Sequence, residues 1–375
     1  MSLHATRVLV LNERDPRHPK AGGAEVHVAE IFRRLAERGL QVTLVSSGFP
    51  GGTHADEIDG MRVVRLGGLP FFYPRAAAFC RRETGAGRAD LVVDCLNKLP
   101  FLSPLYAKTP VLALCHHLFG EAAFLQVPWP IAATVWGVEK WIPRVYRDCP
   151  FVAISESTRD DLVARGLSSA RIEVHHPGIR FPEVPISACE TRAPSIVYVG
   201  RLEPYKNIDV LLRAAARLRP KFPEIALVVI GEGTDRPRLE RIAGELGMGD
   251  RTRFTGFIDQ AEKDRRMAEA RVCVCPSVKE GWGLTVIESN AVGTPNVASD
   301  APGLRDSVRD GETGFLVPIG DEAGFAARIE TLLGDDAVAA RMSRAALDWS
   351  ARFTWEHAAD RMQRALAATL EPGAR

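Results

Sequence analysis

Pro276-Ser277-Val278-Lys279-Glu280-Gly281-Trp282-Gly283-Leu284-Thr285-Val286-Ile287-Glu288 follows the apolar run 272–275 and decides how the C-terminal half is read. The apolar run predicts a buried strand, the two glycines interrupt regular structure, and the residues from 284 onward predict an apolar helix. A strand, a glycine-bearing loop and a helix in that order form one unit of a parallel sheet. Glu280 then stands on a loop beyond a strand end, and Glu288 lies about one turn inside the helix. The N–H groups around Gly283, Leu284 and Thr285 open that helix, where they can receive a phosphate. Glu288 can accept two hydrogen bonds from vicinal hydroxyls such as those of a ribose. The competing reading is a helix with two surface glutamates, and the glycines flanking an apolar strand favour the ligand site.

The same alternation extends outward from this stretch. Strands are expected at 195–199, 225–231, 253–255 and 315–317, with helices at 208–217 and 238–246. After the first of these strands comes Gly200-Arg201-Leu202-Glu203-Pro204-Tyr205-Lys206-Asn207. Arg201 offers a planar fork and Lys206 a mobile point charge, a pairing suited to a diphosphate; the alternative is two solvated surface cations. Gly231-Glu232-Gly233 lacks a third glycine, because position 236 is Arg, so it is no dinucleotide fingerprint.

The N-terminal half repeats the pattern. Strands are expected at 7–12, 41–46, 61–66, 91–95, 111–114, 151–154 and 171–175. Between the first two, Ala24, Val28, Ile31 and Leu35 share one helix face and Gly39 ends the helix. Ala21-Gly22-Gly23-Ala24-Glu25 opens that helix, either as an anion-binding loop or as a plain glycine turn. It matches neither a P-loop nor a dinucleotide motif. Between the halves, Pro177, Pro182, Pro185 and Pro194 accumulate where periodicity stops. The expected organisation is therefore a domain over 1–180, a linker over 181–194 and a second domain over 195–352, both α/β with mostly parallel, Rossmann-like sheets.

Composition removes several functions. The 375 residues carry 48 basic and 47 acidic side chains, so no overall positive excess supports nucleic acid as a partner. The seven cysteines include one close pair, Cys273 and Cys275, whose spacing fits neither common zinc nor redox motifs, and they are expected as buried thiols of a cytoplasmic protein. Arg7 to Leu11 runs directly into Asn12, Glu13 and Arg14, which is no signal peptide, and the uncharged stretch 122–138 is broken by Pro128 and Pro130.

Several of these motifs together carry a resemblance. Glu280 and Glu288 with seven residues between them, Arg201 with Lys206-Asn207, the Gly22-Gly23 loop, Ser155-Glu156-Ser157 and Gly311-Glu312-Thr313-Gly314-Phe315 resemble glycosyltransferase family 4, retaining enzymes of GT-B fold. The resemblance implies two Rossmann-like domains facing across a deep cleft, with the C-terminal helix at about 353–375 returning to the first domain. It implies that Arg201 and Lys206 hold the diphosphate of a nucleotide sugar, Glu288 the ribose and Glu280 the hydroxyls of the transferred sugar, with Gly22 and Gly23 under the phosphates. It also gives one histidine of Leu114-Cys115-His116-His117 a contact with the donor sugar; His116, nearer the strand end, is chosen, with His117 as competitor and a purely structural pair as the other alternative. His175-His176 leads into the linker and is read as structural. Ser289-Asn290-Ala291 and Asp306 depart from the family pattern beside the expected nucleotide pocket.

Glycosyl transfer needs the departing diphosphate neutralised, and some enzymes use a divalent ion on Asp-x-Asp. This chain has no such triplet, so Arg201, Lys206 and a helix start are expected to serve, with no metal and no cofactor beyond the donor substrate. The expected activity is metal-independent, retaining transfer of a hexose-type sugar to an acceptor hydroxyl, in cell-surface glycan, glycolipid or secondary-metabolite synthesis. A GT-B-like nucleotide-sugar epimerase and a non-catalytic sugar-nucleotide binder are the alternatives. Aromatic residues beside basic ones, Phe71, Phe72, Tyr73 and Phe79 with Arg75, Arg81 and Arg82, then Phe124, Trp129, Trp136 and Trp141 with Lys140 and Arg144, suit an anionic membrane and a lipid-linked acceptor. A domain core with a greasy acceptor pocket fits the same residues.

Overall fold

The computed structural model describes residues 3–125 and 128–371. The chain divides into two compact units, Met1–Gly178 with Thr354–Arg375, and Ile179–Phe353.

In the first unit the strands are β1 (Arg7–Leu11), β2 (Gln41–Ser46), β3 (Ala55–Ile58), β4 (Met61–Arg65), β5 (Leu91–Leu96), β6 (Val111–Cys115), β7 (Phe151–Ala153) and β8 (Ile172–Val174). Helices α1 (Gly23–Glu37), α2 (Leu69–Gly85), α3 (Trp129–Glu139), α4 (Ile142–Val145) and α5 (Glu156–Ala164) lie between them. The strand order is β3-β4-β2-β1-β5-β6-β7-β8. Every pairing is parallel except β3 with β4, which form a hairpin through Asp59 and Gly60, both at positive φ. Strands β5 and β6 are buried along their whole length, as expected of parallel strands covered on both faces.

The second unit runs β9 (Ser195–Val199), α6 (Ile208–Leu218), β10 (Ala226–Ile230), α7 (Arg236–Glu245), β11 (Thr252–Gly256), α8 (Gln260–Glu269), β12 (Val272–Cys275), α9 (Leu284–Asn290), β13 (Asn296–Ser299), α10 (Leu304–Ser307), β14 (Gly314–Val317), α11 (Glu322–Gly334) and α12 (Asp336–Ser350). Its order, β11-β10-β9-β12-β13-β14, is all parallel. Alternate strand residues feed two cores: Ile196, Tyr198, Val272 and Val274 enter one, while Val197, Cys273 and Cys275 enter the other. The connection order reverses between β9 and β12, so the loops after those two strands open side by side.

The last helix, α13 (Trp355–Leu370), belongs to the first unit. It lies against α1, with Arg34 paired to Glu356 and Arg38 to Asp360. The segment 181–194, expected as a separate linker, is instead part of the second unit. Arg192 explains this: it is buried and donates to the carbonyls of Ala270, Ser187 and Val292 and to the Thr294 hydroxyl. Both Nη groups are thus satisfied by the second unit's own backbone and Thr294, which ties the proline-bearing segment down.

All seven cysteines are free thiols and six are buried, Cys149 being half-buried. Among the described residues no helix is long and apolar enough to cross a membrane.

Candidate active site

The reversal between β9 and β12 brings together what the sequence had shown far apart. Pro204–Lys206 forms a short 3-10 turn after β9, and Asn207, at φ 50°, then starts α6. The loop after β12 reaches across to it, Val278 N–H donating to the Tyr205 carbonyl at 3.0 Å. Lys206 Nζ makes an ion pair with Glu280 Oε1, and the two side chains are only 11% and 24% exposed. Burial would lower the Lys206 pKa, but the Glu280 charge and hydrogen bond together with Tyr205 outweigh it and the shift is upward. Burial would likewise raise Glu280; the Lys206 charge and hydrogen bond, Ser277 and Arg201 hold it below the usual carboxylate range. Glu280 therefore contributes stability above its unfolded pKa that is lost as pH falls through the depressed folded value. Lys206 contributes stability below its unfolded pKa that is lost as pH rises through the raised one. Across neutral pH the pair stays ionised.

Arg201 is exposed, and its Nη2 donates to the Tyr205 hydroxyl at 2.8 Å. The backbone of the Glu280 loop is fixed from the other side, with Glu280 N–H donating to the Pro302 carbonyl at 3.2 Å. Gly303, at φ +80°, lies so close that a Cβ there would stand 2.4 Å from the Glu280 carbonyl oxygen. Gly283 also has positive φ, +78°, and precedes α9 at Leu284, with Thr285 next in the helix. Its added Cβ would meet Ser307 Oγ at 2.8 Å, so the turn into α9 is confined to glycine on two counts.

Glu288 is not a lone acceptor. Lys263 Nζ, from α8, lies 2.9 Å from both of its carboxylate oxygens. Sequence reasoning missed Lys263 because α8 is polar almost throughout and buries only Asp264, Met267 and Ala268, leaving little periodicity to find. Ser289 and Asn290, which follow Glu288 in α9, are both buried. Ser289 Oγ and Asn290 Oδ1 each bond Asn296 Nδ2 of β13 at 2.8 Å, so these residues tie helix to sheet.

In the first unit, Gly22 and Gly23 open α1 as expected, but the Gly22 N–H is engaged by Glu25 Oε2 at 2.8 Å, a capping arrangement. Glu25 is in turn paired with Lys98 at 3.1 Å. A side-chain carboxylate already occupies part of the position where the loop was expected to take an external anion. His116 stands directly after β6, as read from sequence, but is 2% exposed and turned toward His27 of α1, Nε2 to Nδ1 at 3.0 Å. His117 is half-buried with its ring edge-on to Phe119. His175 and His176 pair with Glu173 and Glu156, in keeping with a structural role.

Two of the remaining motifs make contacts within the fold. Ser155 caps α5 by accepting from Thr158 N–H, and Gly314 packs so tightly that a Cβ would lie 2.1 Å from the Asn296 carbonyl oxygen.

Comparison with known proteins agrees with this layout. Residues 183–349 match the family described as Glycosyl transferases group 1, and residues 21–181 match Glycosyltransferase Family 4. A D-inositol 3-phosphate glycosyltransferase of Nocardia farcinica is 34% identical over 390 residues, spanning 93% of this chain and 85% of that protein. A glycogen synthase of Mycobacterium tuberculosis is 30% identical over 367 residues, spanning 89% of this chain and 88% of that protein. Among solved structures, a sucrose-phosphate synthase from Thermosynechococcus elongatus superposes with a TM-score of 0.80 at 24% identity, over 96% of this chain and 98% of that one. Anabaena Alr3699/HepE in complex with UDP-glucose gives 0.76 at 19% identity, over 96% and 99%. The structural likenesses establish the fold alone, while the sequence matches cover both units: the chain belongs to glycosyltransferase family 4, of GT-B type.

Proposed function

We propose that this glycosyltransferase moves a hexose-type sugar from a nucleoside diphosphate to an acceptor hydroxyl with retention at the anomeric carbon and without a divalent metal. The observation that carries the reading is the ionised Lys206–Glu280 pair beside Arg201, at the point where the strand order of the second sheet reverses. A diphosphate arriving there meets two cations, and Glu280 accepts hydrogen bonds from sugar hydroxyls. Glu288, held by Lys263, accepts the ribose hydroxyls, and the backbone at Gly283, Leu284 and Thr285 approaches the phosphates. The solved relative with UDP-glucose supports a uridine diphosphate donor. From the first unit, His116 meets the donor sugar, and Gly23 allows close backbone approach now that the Gly22 N–H is engaged by Glu25.

In this mechanism Arg201 and Lys206 stabilise charge as it builds on the departing diphosphate, a role worth about 10²- to 10³-fold per well-placed donor. The leaving phosphate helps deprotonate the acceptor on the same face, which accounts for retention. Exclusion of water protects the reacting centre from hydrolysis. The experiment is a thermal-shift screen of UDP-, GDP- and ADP-glucose followed by turnover of the stabilising donor. Stabilisation of about 2.7 kcal/mol is expected at 100 times Kd, and EDTA leaves turnover unchanged. No stabilisation by any of the three defeats the donor reading, and loss of turnover in EDTA defeats metal independence.

A cytoplasmic protein peripheral to an anionic membrane, with a lipid-linked acceptor, is the proposed setting. Phe72 and Phe79, part of the apolar segment read as membrane-facing, are core residues, but Phe71, Trp129, Ile131 and Trp141 are exposed. Lys140 Nζ lies over the Trp136 ring at 3.1 Å and Arg144 over Trp141 at 5.7 Å. Amphipathic aromatics with cations at their rims suit a headgroup layer. The protein is expected to float with vesicles containing anionic lipid and to remain unbound with neutral ones; failure to float with either removes the membrane from the proposal.

A further inference from the structure

Lys263 belongs to none of the sequence motifs, yet the fold sets it against the second carboxylate of the candidate site. Its helix, α8, is capped at its start by Asp259, whose side chain accepts from the Glu262 N–H at 2.8 Å. The residue next to it, Asp264, is buried and accepts from Gln260 Nε2 at 2.8 Å and from Arg180. Met267 and Ala268 enter the same core as Val286 of α9, the helix that carries Glu288. Two helices anchored in one core therefore fix the roots of both side chains. Lys263 Nζ meets the two Glu288 oxygens at the same distance, 2.9 Å. The Lys263 side chain is 16% exposed and that of Glu288 24%, so the pair is largely withdrawn from water without being sealed from it.

Equal contact with both oxygens has a chemical consequence. The last torsion of a glutamate is broad, so a carboxylate left to itself samples many planes. An ammonium shared by its two oxygens fixes that plane through charge-assisted bonds, which are the strong kind. A carboxylate offers roughly four lone-pair sites, and this contact uses about half of them. One site on each oxygen remains for a ligand, and the partial exposure of Glu288 leaves room for it to arrive. Two acceptors on one fixed plane match two adjacent hydroxyls that both donate. A ligand lacking one of those hydroxyls leaves an acceptor without a partner, and a site built on such bonds rejects it.

We propose that Lys263 is a positioning residue that holds the Glu288 carboxylate as a fixed two-point acceptor and thereby makes the site select a ribose nucleotide over its 2′-deoxy counterpart. This rests on the reading that Glu288 takes the ribose hydroxyls. Lys263 acts through the carboxylate and has no part in the reacting centre.

The experiment measures by calorimetry the affinity of UDP, GDP and ADP, each beside its 2′-deoxy form, for the wild type, Lys263→Met and Glu288→Ala. The quantity read is the ratio of the two dissociation constants, taken for the nucleotide that the wild type binds most tightly. Removing a positive charge weakens both members of a pair alike, so the ratio responds to the hydroxyl contact and not to the general field. The wild type is expected to bind the 2′-deoxy form about 10-fold or more weakly. In Lys263→Met the ratio is expected to fall to within about threefold, mainly because the ribonucleotide binds less well once the carboxylate plane is free. Lys263→Met keeps the length and apolar stem of the side chain; Lys263→Ala gives the same reading should the methionine variant not fold. A wild-type ratio retained without the lysine overturns the proposal. If Glu288→Ala also retains it, or the wild type binds both forms equally, the ribose reading of Glu288 falls and takes the proposal with it. If Glu288→Ala loses the ratio while Lys263→Met keeps it, that reading stands and the proposal alone is overturned. Binding of none of the three nucleotides by the wild type defeats the donor reading itself, and the proposal with it.

Discussion

Glu280→Gln is expected to lower kcat/KM by about 10²- to 10³-fold while leaving the fold intact. The substitution keeps the shape of the side chain and removes its charge. Lys206 is 11% exposed and has Glu280 as its ion-pair partner, so the neutral amide leaves an ammonium desolvated without its counter-charge. The expected stability loss is about 1–3 kcal/mol at neutral pH. Urea titration of Glu280→Gln, Lys206→Met and the double variant separates the effects. Each single variant loses stability, the double variant regains part of it because no buried charge is left alone, and all three remain impaired in transfer. Turnover of Glu280→Gln within a few-fold of wild type removes Glu280 from the site.

Gly303→Ala is expected to have the largest structural effect. Its φ of +80° disfavours any Cβ by about 1–2 kcal/mol. The added atom would also stand 2.4 Å from the Glu280 carbonyl oxygen and 2.8 Å from the backbone carbons of Glu280 and Gly281, where no flexible side chain can yield. Overpacking of that kind adds about 1–3 kcal/mol, for a fall in the melting temperature of the second unit on the order of 10 °C. Gly320→Ala is the control: its φ is +79°, but nothing lies within 4 Å of the added Cβ. It is expected to show the conformational cost alone. Equal shifts for the two variants exclude the steric argument. Gly303→Ala is further expected to reduce transfer, because the loop that must shift carries Glu280.

The alternation of apolar runs with helical faces disclosed most of both sheets. What it passed over has common physical causes. Strand β3 reads Ala-Asp-Glu-Ile and sits at a sheet edge in the antiparallel sense, so only Ile58 is buried and no apolar run marks it. The Asp59-Gly60 turn was the available signal. Strand β13, Asn296–Ser299, is fully buried yet begins and ends on polar residues, of which Asn296 is satisfied inside by Ser289 and Asn290. Helix α8 exposes most of its length, and with it Lys263 went unnoticed.

The candidate site divides in the same way. Arg201, Lys206, Glu280 and Glu288 were legible because loops after parallel strands, glycine spacing and charge type are written locally in the chain. Which of them meet was not written there. Lys206 and Glu280 are 74 residues apart and join only because β9 and β12 are neighbours at the reversal of the sheet. Lys263 and Glu288, and His27 and His116, 89 residues apart, likewise meet only through the packing of separate elements. The sequence by itself determined the family, the two parallel sheets and the loops that carry chemistry, since those depend on local pattern. Only the tertiary structure decided the charge partners, the turning of His116 toward His27 and the assignment of 181–194 to the second unit, since burial and pairing are properties of neighbours in space.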